Sequence, residues 1–237
     1  MNRIILIILI TLSCAWPLLA QGKTEARRSQ CPLAADRTPE LRGFRVGMPQ
    51  AAVLARLPGA SVDKPDQFGI TQLRLTVIDP SIAKGLPASD RGIQPNTILG
   101  NEGTVVVTSA KFPALKGVRR IQFQFTDGRL SYLQVGYDDS TRWNSIDEFV
   151  ETVAKALNLP AEWSLTPEGD RLEQARELRC EAFVITADLS ADPTDTRIGS
   201  QLSVEDLVAS KLVEKRQNDL KDKAQAAEDA KRKTFKP

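Results

Sequence analysis

Val118-Arg119-Arg120-Ile121-Gln122-Phe123-Gln124-Phe125-Thr126, then Asp127-Gly128, then Arg129-Leu130-Ser131-Tyr132-Leu133-Gln134-Val135-Gly136-Tyr137, is the stretch that decides the fold class. In its first half Ile121, Phe123 and Phe125 alternate with Arg120, Gln122 and Gln124. That is the period of a strand with one dry face and one wet face. Asp-Gly between two such runs is a strong hairpin signal, because both residues accept the positive φ of a type I′ turn. In the second half Leu133, Val135 and Tyr137 alternate with Gln134 and Gly136, while Leu130 and Tyr132 fall on the other parity unless a bulge intervenes. Strands joined by a two-residue turn are antiparallel.

Working outward, upstream residues 71–79 predict a strand with Leu73, Leu75 and Val77 on one face, and the Val-rich run 104–109 predicts another. Between them residues 80–103 are rich in Pro, Gly, Ser, Asn and Asp and read as a long loop. Earlier still, Phe44 and Val46 flank Arg45 in a short edge strand or extended entry, and Pro49 suits the first position of a helix running to about Leu57, stopped by Pro58-Gly59. Downstream, Ser145 and Glu148 have the spacing of a capping box, and Ile146, Phe149, Val150, Val153, Ala154 and Leu157 form one apolar stripe. Asn158-Leu159-Pro160 ends that helix. Residues 164–177 are polar and ambiguous. Residues 178–189 read as one strand, with Phe183, Ile185, Ala187 and Leu189 on one parity and Cys180 on the other, and 198–204 read as a shorter strand.

The order implies an α+β fold: an antiparallel sheet with helices packed on one face, in two helix-plus-strands blocks, 41–140 and 141–206. A flexible lead-in, 21–40, precedes this domain. A charged helical tail, 207–237, follows it; residues 211–237 hold nine Lys and Arg against five Asp and Glu. Asp219 with Lys223, Glu228 with Arg232 and Asp229 with Lys233 stand at the favourable i,i+4 spacing. Val213, Leu220, Ala224 and Ala227 make only a narrow apolar seam, too little for a coiled coil.

The first twenty residues read as a secretory signal: Arg3, an Ile- and Leu-rich run from Ile4, Pro17, and a small residue, Ala20, before the expected cleavage. The expected location is periplasmic or secreted, with no stable membrane insertion after cleavage. Cys14 is poorly placed for lipid attachment, since Thr11 stands where such sites have Leu. Cleavage would leave Cys31 and Cys180, which in an oxidising compartment most simply form a disulfide.

Composition excludes more than it assigns. The 237 residues contain no histidine, which rules out Ser-His-Asp and Cys-His catalysis and His-ligated zinc or haem. A net charge of +2 gives no field for nucleic acid. Aromatic residues are 5% of the chain, so the core must rest on aliphatic side chains. Neither cysteine lies in a C-x-x-C motif, no Gly-rich phosphate loop is present, and no cofactor is expected.

Gly43-Phe44-Arg45-Val46-Gly47-Met48-Pro49, followed by Val53 and Leu57-Pro58-Gly59, resembles the opening of SmpA/OmlA (BamE)-type outer-membrane assembly proteins and of β-lactamase-inhibitor-protein-like domains. The resemblance implies helices laid on an antiparallel sheet and a protein-binding scaffold in a bacterial envelope. It carries over no binding residues. Pro49 departs from the usual Ser or Thr cap, and the charged tail lies outside the pattern.

The function expected from these features is an exported, non-enzymatic protein-binding or scaffold domain whose partner is another envelope protein. The alternatives are a secreted hydrolase using paired carboxylates, which needs no histidine, and a structural envelope protein with the charged helix as a spacer. The candidate partner-contact segment is the 80–103 loop, with Arg91, Ile93, Asn96 and Ile98. Asp188, Asp192 and Asp195 surround a turn without EF-hand spacing, Asp138-Asp139 read as turn and cap residues, and Lys231-Arg232-Lys233 suits a helix C-terminus.

Overall fold

The computed structural model describes residues 31, 33, 37–57, 60–78, 104–108, 112–138, 143–166, 175–191 and 198–234. A short helix α1 (Gln50–Ala55) leads to β1 (Ile70–Ile78), β2 (Thr104–Thr108), a 3-10 turn (Pro113–Leu115), β3 (Val118–Thr126) and β4 (Arg129–Tyr137). Then come α2 (Ile146–Leu157), β5 (Ser164–Leu165), β6 (Ala175–Arg179), β7 (Phe183–Ala191), β8 (Ile198–Asp206) and the long α3 (Leu207–Thr234). The strands form one eight-stranded sheet in the order β2-β1-β3-β4-β8-β7-β6-β5. The antiparallel β4–β8 pairing joins the strands of the two expected blocks into a single sheet. Every neighbouring pair is antiparallel except β1–β2, which is parallel and so needs a crossover rather than a hairpin.

The β3–β4 hairpin forms as its pattern requires, with Ile121 opposite Val135 and Phe123 opposite Leu133. A register shift between Gln124 and Phe125 answers the parity conflict: Leu130 pairs with Phe125 and is buried, while Tyr132, opposite Gln124, turns to the other face. Leu73, Leu75, Ile121, Phe123, Leu133, Leu202, Ile185 and Ala187 make a continuous apolar layer on one face of the sheet. Val53 and Leu57 at α1, and Phe149, Val150 and Val153 of α2, belong to the same core.

α2 follows its stripe. The Ser145 hydroxyl accepts from the Glu148 backbone N–H at 3.2 Å. The Glu148 carboxylate does not close the reciprocal half of the box; it accepts from the backbone N–H and side-chain amide of Asn144, each at 2.8 Å. Asn158 ends the helix in the left-handed conformation, φ 52°.

Three expectations need correction. α1 stops at Ala55, and Pro49 is its N-cap rather than its first residue. The segment 41–49 forms no strand; it holds isolated bridges between Leu41 and Phe44 and between Pro49 and Arg129. Residues 178–189 are two strands, because the chain reverses at Cys180-Glu181-Ala182, where the Cys180 N–H donates to the Phe183 carbonyl at 2.8 Å. The ambiguous run before it contributes β5 and β6, paired antiparallel. Cys31 and Cys180 form a disulfide across 149 residues, both half-cystines buried.

Candidate functional site

Helices cover one face of the sheet, and the other presents polar side chains. One register row crosses six strands of that open face: Arg74, Gln122, Gln134, Ser203, Thr186 and Glu177. Alternation along each strand puts these residues opposite the core row, so the polar half of the pattern 120–124 builds the open face. Over β4, β8, β7 and β6 the surface is concave, a groove of about 550 Å³ lined by Tyr132, Gln134, Thr166, Glu177, Arg179, Val184, Thr186, Asp188, Gln201, Ser203 and Glu205.

Side chains of the protein already engage several of the groove's charges. Glu177 pairs with Arg179 at 3.3 Å. Glu205 accepts a hydrogen bond from the Ser210 hydroxyl, so the first turn of α3 borders the groove. Burial raises the Tyr132 phenol above its ordinary pKa against a hydrogen bond with Ser203, which keeps it neutral and able to donate. Gly136 sits between Arg120 and Gln201 in the next row. A Cβ there would make only ordinary contact with Arg120, at 3.7 and 3.8 Å, so packing alone does not require glycine. The groove combines amides, hydroxyls and a phenol with a few charges. It can read a partner by hydrogen bonds.

At the end of the sheet α3 is fastened down. Asp206 caps it, accepting from the N–H groups of Val208 (2.8 Å) and Ala209 (3.0 Å). Arg216 donates to both carboxylate oxygens of Asp127, at 3.0 and 2.8 Å, and to the Phe68 carbonyl at 2.6 Å. Beyond this clamp, residues 217–233 are exposed on every side, with Lys215–Asp219 and Arg232–Glu228 ion pairs along the helix. Asp229 accepts from Gln225 at 3.0 Å. Gly69 lets the clamp close: at φ +78° an added Cβ would lie 2.5 Å from an Asp127 carboxylate oxygen and 2.8 Å from an Arg216 nitrogen. Gly69→Ala is expected to cost about 1–3 kcal/mol through backbone strain and the lost clamp. Denaturant unfolding measures the cost, and faster proteolysis within 217–234 reports the loosened helix. The Arg216 guanidinium holds the Asp127 carboxyl below its ordinary pKa. Its stabilisation is therefore present above the unfolded carboxylate pKa and is lost as pH falls through the lower folded value. Arg216→Met should remove this acid dependence.

The sequence-predicted candidates fall differently. Arg91, Ile93, Asn96 and Ile98 lie outside the described residues, as do the expected signal segment 1–20, Asp139, Asp192 and Asp195. Asp188 lines the groove. Asp138 donates its backbone N–H to the Gly117 carbonyl at 3.1 Å, extending the β3–β4 pairing past Val118 and Tyr137 rather than making a turn. Among the described residues no group of three or more Cys, Asp or Glu could hold a metal ion, and no helix is long and apolar enough to cross a membrane. The open face itself was visible only as alternating polar residues, which do not announce concavity. No family model, curated protein or solved structure matches this chain.

Proposed function

We propose that this chain is an exported, non-enzymatic binding or scaffold domain of the cell envelope, and that its partner, another envelope protein, sits on the open sheet face. The observation that carries the reading is the concave polar groove over β4, β8, β7 and β6, on the side of the sheet opposite the helix-covered core. A ladder of paired strands is a rigid platform for such a surface, since side chains on it are held by both neighbours. The secretory signal, the disulfide and the absence of histidine all suit a binding module outside the cytoplasm. The resemblance of residues 43–59 to BamE-type and β-lactamase-inhibitor-protein-like domains points the same way.

A photo-crosslinking residue at Gln134 or Ser203, on the groove, should yield a discrete adduct with one envelope protein. The same residue at Asp147, an exposed position on α2, should not. Equal or absent adducts at the groove positions would remove the support for this reading.

A further inference from the structure

The open face carries charge of opposite sign at its two ends. Three register rows cross it from β6 to β1: Arg179 to Gln72, Glu177 to Arg74, and Ala175 to Thr76. Over β6, β7 and β8 the charged members are Glu177, Asp188 and Glu205 against Arg179, with one charge of each sign joined in the Glu177–Arg179 pair. Over β3 and β1 the charged members are Arg120 and Arg74. Between the two halves β4 presents only Tyr132, Gln134 and Gly136. Tyr132 feels both ends. Burial is the largest cause of its raised pKa, and among the smaller causes the Glu205 carboxylate pushes the phenol up while Arg120 pulls it down. The whole chain has a net charge of +2, so the acidic half is not a general surplus of carboxylates.

A carboxylate set this open does not suit a metal ion. Glu177, Asp188 and Glu205 stand on three different strands, and among the described residues no group of three acidic side chains is close enough to hold one. Guanidinium and ammonium groups bond carboxylates singly and need no chelation. Shape narrows the occupant further. A second copy laid face to face would match the signs, but two concave surfaces hold each other's floors apart, whereas a single segment can enter the groove. The two charged halves are centred three to four strand spacings apart, roughly 17 Å. An extended chain covers that distance in about five residues. The separation exceeds the screening length of about 8 Å at physiological ionic strength, so each half acts on its own charge. We propose that the groove takes an extended segment of the partner protein, with a lysine or arginine over the β6–β8 carboxylates and an aspartate or glutamate about five residues away over Arg120 and Arg74. This rests on the reading of the groove as the partner-binding surface.

The full exported chain is titrated into the labelled peptide Arg-Ser-Arg-Ser-Ser-Glu-Ser-Glu and binding is followed by fluorescence anisotropy. The parent peptide should bind more tightly than its Glu-to-Gln version. That version should bind more tightly than the Arg-to-Gln one, although attraction to a chain of net charge +2 would favour the last. Glu205→Gln and Asp188→Asn should each raise the parent Kd about two- to fivefold, the range for a charge pair at a surface. Arg74→Gln should weaken the parent peptide and leave the Glu-to-Gln version unchanged. Glu151→Gln, at an exposed position on α2, should change neither. Tightest binding by the Arg-to-Gln peptide, no saturable binding of the parent at millimolar concentration, or affinities indifferent to the groove variants would each overturn the proposal. So would tighter binding once Lys23, Arg27 and Arg28 are all changed to Gln, which would make this chain's own N-terminal segment the occupant. If the peptides fail in any of these ways while Gln134 and Ser203 still cross-link to one envelope protein, the groove remains a partner site and only its charge preference is wrong.

Discussion

Removing the Cys31–Cys180 bridge, by Cys31→Ser with Cys180→Ser, is expected to lower the unfolding free energy by about 3–5 kcal/mol. The two cysteines are 149 residues apart, so the closed loop spans most of the described chain. Chain-entropy reasoning assigns about 5 kcal/mol to a cross-link over a loop of this length, and native cases often give less. Most of that effect acts on the unfolded ensemble, which the bridge compacts, rather than on contacts in the folded state. Two observables separate this from an ordinary packing defect. The m-value in urea should rise in the variant, because its unfolded chain exposes more surface. Reductant should shift wild type onto the variant's curve and leave the variant where it was. A midpoint that does not move, or moves equally with and without reductant, would show that the bridge contributes little.

The contrast between what sequence patterns specified and what they missed follows the range of the interactions. The β3–β4 hairpin and α2 depend on residues within a few positions of each other: Asp127-Gly128 between alternating runs, and Ser145 before a helical stripe. Both could be read directly. The split of 178–189 into β6 and β7 was missed because Glu181-Ala182 carries no Gly, Pro or Asn to mark a reversal. Leu178 and Ile185 are both buried and pair across that turn, which a single-strand reading cannot represent. The parallel register of β1 with β2 is a pairing between segments 26 or more residues apart in the chain, and no local pattern specifies it. The Arg216–Asp127 clamp joins residues 89 apart, and no local pattern connects them. Parity marked Gln122, Gln124 and Gln134 as the polar side of β3 and β4, with Tyr132 joining them through the bulge at Gln124; Glu177 lay in a run with no clear period, and the curvature that makes a groove arises from the assembled sheet.

That sheet depends on Phe123, and Phe123→Ala is expected to cost about 3–5 kcal/mol. Its side chain is 0% exposed at the centre of β3, between Leu73 of β1 and Leu133 of β4. The Phe44 ring meets it edge-on, with centroids 4.9 Å apart and planes at 77°, and Phe125 stacks at 6.4 Å. Removing the ring leaves a cavity that flanking strands cannot collapse into, because their backbones are fixed by ladder hydrogen bonds on both sides. Phe44 is also buried, but it belongs to the irregular 41–49 segment, where its backbone is bridged to Leu41 rather than laddered to a strand on each side. A double-mutant cycle with Phe44→Ala should therefore give a coupling of about 0.5–1.5 kcal/mol, the range for an edge-to-face pair. Phe44→Ala alone should cost less than Phe123→Ala. The reverse order would mean that the 41–49 segment, rather than β3, is the rigid part of the core. Because Gln122 and Gln124 are the immediate neighbours of Phe123 on the polar face, Phe123→Leu, which keeps most of the volume, should also preserve cross-linking at Gln134. Loss of that cross-link with the fold intact would show that the groove depends on packing at Phe123 beyond the volume that leucine retains.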